Sequence, residues 1–343
     1  MKTGPRVVIV GGGILGASAA WHLARAGAEV TVLEKRPEAA AGVTRWSYGW
    51  VGTSSGLPSS DPACFSLEME AVREFARLAD ELGPLPIAAR GAVVWRDIDE
   101  ETAELVAEQQ AAGVRMELLD RAQIAELEPR LAAPPALAAW APDDFAVEPA
   151  DLTRQLLAGA RAAGALLRCS VAVEAVEMRG GRVAGVHAEG EIVAADTVVL
   201  ANAGAALPLV ASLGITLPIS EAPAVLMRFA SDAGLARHLL YDGELELRPG
   251  LSGGLVSAAD YPEEGEAGLL PLAKRTAAKI ASLFAPCPEP RLLSVTGAFR
   301  PMTGDGLPLR KFLPEVEGLY VLVAHPGVIL APRLGRLAAH DIV

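Results

Sequence analysis

Arg6-Val7-Val8-Ile9-Val10-Gly11-Gly12-Gly13-Ile14-Leu15-Gly16 runs on through the small residues Ala17 to Ala26 and stops at Gly27. Its β-branched opening, closed by glycine, predicts a strand buried on both faces. Residues 17–26 read as a helix ended by Gly27, and Glu29 to Leu33 as a second strand, which together make a βαβ unit. Gly11, Gly13 and Gly16 stand in G-x-G-x-x-G spacing between the first strand and the helix. The first glycine permits a tight turn, the second a close approach of a diphosphate, the third close packing of helix on strand. The first helical turn, with Ile14 and Leu15, offers free N–H groups and the positive end of the helix dipole to that anion. Glu34 follows Gly16 by 18 residues and precedes Lys35. A carboxylate there accepts hydrogen bonds from a ribose diol and repels a 2′-phosphate, which disfavours NADP. A tight turn followed by a surface glutamate is the plainer alternative. The motif alone leaves FAD and NAD both open.

Working outward, 343 residues that are 51% hydrophobic can bury a large core. A net charge of −12 excludes wholesale nucleic-acid binding, though a local cationic pocket for an anionic ligand remains compatible with it. Cys64, Cys169 and Cys287 are odd in number, far apart and without a C-x-x-C pair, so neither a disulfide framework nor a metal site is expected. No apolar run reaches spanning length or forms a signal sequence. A cytoplasmic protein without an integral membrane segment is expected, and the alanine-rich, lysine-poor composition has a bacterial look.

Helical spacing is expected over Ser66 to Leu82, Glu101 to Ala112, Asp151 to Ala163, Thr276 to Phe284 and Val328 to Ala339. Strands are expected over Gly91 to Trp95, Ser170 to Glu177, Arg182 to Ala188, Glu191 to Ala194, Thr197 to Leu200 and Leu319 to Val323, with Gly180-Gly181 as a hairpin turn. Residues 222–258 read as strand-rich. Leu131 to Pro142, rich in Ala and Pro, reads as a connection between domains. Three of the chain's 16 aromatics, Trp46, Tyr48 and Trp50, fall within five residues; they suit either the wall of a pocket or packing between domains.

Several further segments carry a family resemblance. They are Gly42-Val43-Thr44-Arg45-Trp46-Ser47-Tyr48-Gly49, Glu148-Pro149-Ala150-Asp151-Leu152, Val171 to Val173, and Thr197 to Gly204. Gly297-Ala298-Phe299-Arg300-Pro301-Met302-Thr303-Gly304-Asp305-Gly306-Leu307-Pro308 follows, then Gly318 to Val321 and Ala324-His325-Pro326-Gly327-Val328-Ile329-Leu330-Ala331-Pro332. In this order the chain resembles the D-amino acid oxidase/sarcosine oxidase/glycine oxidase family of FAD-dependent oxidoreductases over nearly its whole length.

The resemblance implies an α/β fold. A Rossmann-like FAD-binding domain with a glutathione-reductase-like βαβ start would be interleaved with an α+β substrate domain on a mostly antiparallel sheet. The FAD-binding parts are expected at 1–85, 143–218 and 294–343, the substrate parts at 86–142 and 219–293. Beyond the glycine loop and Glu34-Lys35, it implies FAD contacts from Thr44, Arg45, Ser47, Gly49, Val173, Ala203, Gly204, Arg300, Pro326, Gly327, Val328 and Ile329. A helix N-terminus after Gly327 would also favour the negative charge of a reduced flavin. The FAD is expected to be noncovalent, because Trp46 stands where covalent relatives have His and no Cys lies in the C-terminal segment. The implied reaction oxidises the C–N bond of a small amine or amino acid by hydride transfer to the flavin, with O2 or an electron carrier as acceptor. Arg300 is expected to fork onto a substrate carboxylate, or else to form a structural ion pair. His325 is expected near the flavin, as a catalytic or a packing residue. Trp50, Tyr48, Tyr241 and Arg248 are pocket candidates, Arg248 with a surface or strand-edge alternative. Pro326 and Ile329 replace hydroxyl residues usual in the family, and Arg310-Lys311 a small segment; these departures retune or abolish turnover. The competing readings are an NAD-linked dehydrogenase and an FAD-binding protein that has lost turnover.

Overall fold

The computed structural model describes residues 4–343. Strand β1 (Arg6–Val10), helix α1 (Ile14–Arg25) and strand β2 (Glu29–Glu34) form the expected opening unit. Next come β3 (Trp50–Val51), α2 (Pro62–Leu82), β4 (Ile87–Val94), α3 (Asp99–Ala111), β5 (Glu117–Asp120), α4 (Arg121–Leu127) and β6 (Leu137–Val147). The middle of the chain supplies α5 (Pro149–Ala162), β7 (Leu166–Cys169), β8 (Val173–Arg179), β9 (Arg182–Ala188), β10 (Glu191–Ala194), β11 (Thr197–Leu200) and α6 (Ala206–Ala211). The remainder is β12 (Ile219–Ala230), β13 (Leu239–Tyr241), β14 (Glu246–Pro249), β15 (Leu255–Asp260), α7 (Glu266–Leu283), β16 (Arg291–Thr303), β17 (Leu309–Phe312), β18 (Leu319–Val323) and α8 (Gly327–Ile342).

A six-stranded sheet runs in the order β17-β18-β11-β1-β2-β7, parallel except for β17 at its edge. Strand β1 is central, and the chain leaves it toward β2 on one side while β11 lies on the other. Such a reversal point leaves a crevice beyond the strand ends, where ligands bind in open α/β sheets. Val7 and Ile9 face α1, α5 and α8, whereas Val8 and Val10 face the small antiparallel sheet β10-β9-β8.

The second sheet is larger, in the order β16-β12-β15-β14-β13-β4-β6-β3, with β5 added to β6. It is antiparallel apart from the β4–β13 pair. Val225, Met227, Phe229 and Leu247 pack against Ala273, Ala277 and Ile280 of α7. Because side chains alternate along a strand, residues of the other parity turn toward the half that carries the glycine loop.

Two expectations need correction. The stretch expected to be a connection, Leu131 to Pro142, instead enters β6, an 11-residue strand paired on both sides. Pro142 lies where the β4–β6 register shifts, between the Arg90–Phe145 and Ala92–Ala141 pairs, so its missing N–H falls at an irregularity. The alanines around it have little strand preference of their own, and pairing within the sheet decides their state. Helix α7 begins at Glu266, ahead of the expected Thr276, and carries Pro271 inside it. No helix of the described residues is long and apolar enough to cross a membrane.

Candidate active site

The glycine loop is built as its spacing requires. Gly11 has φ +109°, and a Cβ there would lie 2.8 Å from the Ala201 carbonyl oxygen. A Cβ on Gly16 would lie 2.1 Å from the Gly11 carbonyl oxygen, so helix and turn touch backbone to backbone. Gly13 is the N-cap of α1, with no side chain capping it and no acidic residue in the first turn. Ile14 N–H donates to Thr44 Oγ1 at 3.1 Å, which ties the loop to the turn at Val43–Trp46. Leu15 is buried in the same first turn.

Glu34 is buried at the end of β2. Its Oε2 accepts from Gly12 N–H at 2.7 Å and its Oε1 from Arg36 N–H at 2.9 Å. These bonds fix the carboxylate beside the glycine loop and leave each oxygen a lone pair for a further donor. Val171 N–H donates to the Glu34 carbonyl, which brings the approach to β8 and Val173 to the same end of the sheet. Ala203, at φ +55°, opens a short turn with Gly204 directly after the Ala201-Asn202 wall of the loop. Lys35 is exposed, and Arg45 lies half-exposed at the rim, paired with Glu38 at 2.7 Å. Ser47 donates to the Val43 carbonyl, and Gly49 packs against the Val147 carbonyl at φ +86°.

The C-terminal turn meets this loop through its helix. Ser18 of α1 donates to the Ala331 carbonyl of α8 at 2.7 Å, and a Cβ on Gly335 would press into Ser18. Both helices follow parallel strands, so their N-termini open at the same edge of the sheet. Each terminus stands one turn from the Ser18–Ala331 contact. Pro326 is the N-cap of α8, again with no side-chain cap and no acid in the first turn. Val328 and Ile329 are buried in the core, so only their backbone is available to a ligand. A Cβ on Gly327 would meet nothing within 4 Å. Two helix N-termini whose own N-cap residues supply no side-chain cap, a fixed carboxylate and this open ground beside Gly327 fit a diphosphate-linked flavin nucleotide.

Arg300 lies on β16, opposite Ala222. Among the described residues its guanidinium reaches the carbonyls of Ala222 and Pro223 only, at 3.5 and 3.4 Å. His325 is half-buried. Burial first, and the charge of Arg300 second, push its pKa down to about 4, so the ring is neutral near pH 7. Tyr48, Trp50 and Tyr241 form a continuous aromatic wall, with centroids 6.2 and 6.4 Å apart along the series. Trp50 Nε1 donates to the buried Asp144 at 2.7 Å. The Tyr48 hydroxyl is buried and has no partner among the described residues. Burial, and secondly the nearby Glu246, hold it well above the usual phenol range, so it remains a proton donor.

The surface alternative for Arg248 is overturned, for it is 0% exposed. Its Nε donates to the Tyr48 carbonyl at 2.7 Å, its Nη1 to the Pro249 carbonyl at 2.9 Å, and its Nη2 approaches Glu148 at 3.5 Å. Glu148 also pairs with Arg228 at 2.6 Å. The cause is strand parity, since β14 is interior and Arg248 faces the nucleotide half. Glu246, two residues earlier and therefore on the same face, is a residue the sequence reading passed over. The signal was present in Glu246-Leu247-Arg248, where two charges alternate around a core leucine.

A profile of the DAO family, FAD dependent oxidoreductase, matches residues 6–340. Glycine oxidase of Geobacillus kaustophilus is 27% identical, covering 98% of this chain and 92% of that protein. The solved glycine oxidase of Bacillus cereus superposes with a TM-score of 0.85 at 22% identity, covering 98% of this chain and 94% of the other. An L-amino acid deaminase of Proteus vulgaris superposes at 0.86 with 18% identity, covering 100% and 90%. The match to an FAD family along the whole fold sets the NAD-linked alternative aside.

Proposed function

We propose, for a chain that belongs to the DAO family of FAD-dependent oxidoreductases, that its substrate is a small amine or amino acid whose carboxylate is held by Arg300. The observation that carries this reading is a guanidinium with no carboxylate partner within 4 Å among the described residues, whose charge acts on the half-buried His325. A planar fork bound only by two long contacts to carbonyls is free to turn onto an incoming carboxylate. FAD supplies the hydride acceptor and is held by the glycine loop, Glu34, the Thr44 turn, Ala203-Gly204 and the start of α8. The protein's own work is to position: the Arg300 fork fixes one end of the substrate so that the carbon bearing nitrogen faces the cofactor. The aromatic wall of Tyr48, Trp50 and Tyr241 excludes water from that carbon. No side chain is needed as a base once the amine arrives unprotonated. The acceptor that reoxidises the cofactor is O2 or an electron carrier. The glycine oxidase relatives support the substrate class.

Anaerobic mixing of the FAD-loaded protein with glycine, sarcosine, D-amino acids and proline-like amines tests this directly. Bleaching of the flavin by at least one of them is expected, and none by any would refute the proposal. Arg300→Ala should weaken carboxylate-bearing substrates by roughly a hundredfold or more, since it removes a charge-assisted fork, while FAD stays bound. Unchanged apparent affinity would remove Arg300 from the site.

A further inference from the structure

Resting on Arg300 as the carboxylate anchor, the sheet behind it offers a second pole. Strand parity puts Ala222, Ala224, Ala258 and Ala298 on the face that looks toward the nucleotide half, because each is paired with, or two residues from, a residue already placed there. Arg300 is paired with Ala222, and Glu246 with both Ala258 and Tyr241. The alanines make a low floor, and the charged groups rise from it at separate positions. Along the sheet, Glu246 on β14 and Asp260 on the neighbouring β15 stand on one side, Asp260 two residues beyond the Ala258 that pairs with Glu246, whereas Arg300 stands on the edge strand β16, opposite Ala222. The side chain of Glu246 is half-buried, has no ion-pair partner within 4 Å among the described residues, and is joined at the rim by the exposed Asp260.

We propose that Glu246 is a specificity residue that receives a positively charged group at the end of the substrate remote from the flavin. The site thus selects carboxylate-bearing amines that carry a further cation at a distance. Two carboxylates on one side of the floor, set against one guanidinium on the other, orient a long dipolar substrate in a single sense. Neutral substrates leave Glu246 desolvated and unpaired, which weakens them relative to cationic ones.

The test uses the FAD-loaded protein and two probes of the same shape that cannot be oxidised at nitrogen. One is γ-trimethylammoniobutanoate, and the other is its uncharged isostere with carbon in place of nitrogen. Binding is read by calorimetry and by the shift of the flavin spectrum. The cationic probe is expected to bind about tenfold tighter or more. Glu246→Gln should bring the two within about twofold, by weakening the cationic probe and modestly strengthening the neutral acid, with the flavin retained, and Glu246→Asp should keep part of the preference. Equal binding by the wild type, preference for the neutral acid, no binding of either, or an unchanged ratio in Glu246→Gln each overturns the proposal. Arg300→Ala should weaken both probes alike. If it weakens neither, the carboxylate anchor itself is wrong, a separate outcome from loss of the Glu246 preference.

Discussion

Gly327 has open ground where a Cβ would stand, and its backbone is not in the left-handed region. Nothing among the described residues requires glycine there, and in the proposed site the space it leaves open is taken by the cofactor. Gly327→Ala should leave the thermal midpoint of the apoprotein unchanged while weakening FAD by about tenfold or more, as read by a flavin-binding titration. Gly16→Val should do both kinds of damage, because its side chain would meet the Gly11 carbonyl. His325, neutral down to about pH 4, should contribute no inflection near 6.5 to the pH profile of flavin reduction. At this scale the glycine loop and Glu34 were legible because motif and context agree over a short span. Arg248 and Glu246 were not, since their meaning depends on which face of an interior strand they occupy, and that is decided by partners far away in sequence. Arg248→Met should reveal the difference between a strut and a ligand group. It leaves Glu148 with less compensation and should lower stability by about 3–5 kcal/mol, measured by urea unfolding.

Between elements, the join of α1 and α8 fixes the two helix N-termini that are proposed to hold FAD. Ser18 and Gly335 meet where any side chain on residue 335 would force the helices apart. Gly335→Val should lower stability by about 1–3 kcal/mol through overpacking, and should also loosen FAD, because the two helix N-termini would no longer open together. Loss of stability with full cofactor affinity would show that the termini act independently. The alternation of apolar residues made most strands readable, and the opening unit, the Gly180-Gly181 hairpin and α8 lie where periodicity puts them. Strand β6 escaped because its alanines and Pro142 carry no local signal and its state comes from β4 and β5 alongside.

For the molecule as a whole, buried titratable groups of opposite kind face each other across the acidic range. His22 and His325 are both pushed down to about 4, chiefly by burial, so between pH 6.5 and 4 the unfolded chain takes protons first and stability falls. Glu68 and Asp144 are pushed up to about 7 and about 6, again chiefly by burial. The folded state protonates them first, and stability rises as pH falls through those values toward the unfolded pKa. These effects oppose each other, so the urea midpoint should be nearly flat from pH 6.5 to 4.5. Glu68→Gln should tilt it downward toward acid, and a variant as flat as the wild type would show that Glu68 is not held up in the folded protein. The order of strands in the parallel sheet also bears on how the protein is made. Strand β18 sits beside β11, which sits beside β1, and α8 lies on α1. A ribosome that has already released the glycine loop must therefore translate nearly everything that follows before the second half of the cofactor cradle exists. Nascent chains stalled ahead of Gly327 should emerge colourless, and flavin capture should belong to the closing moments of synthesis.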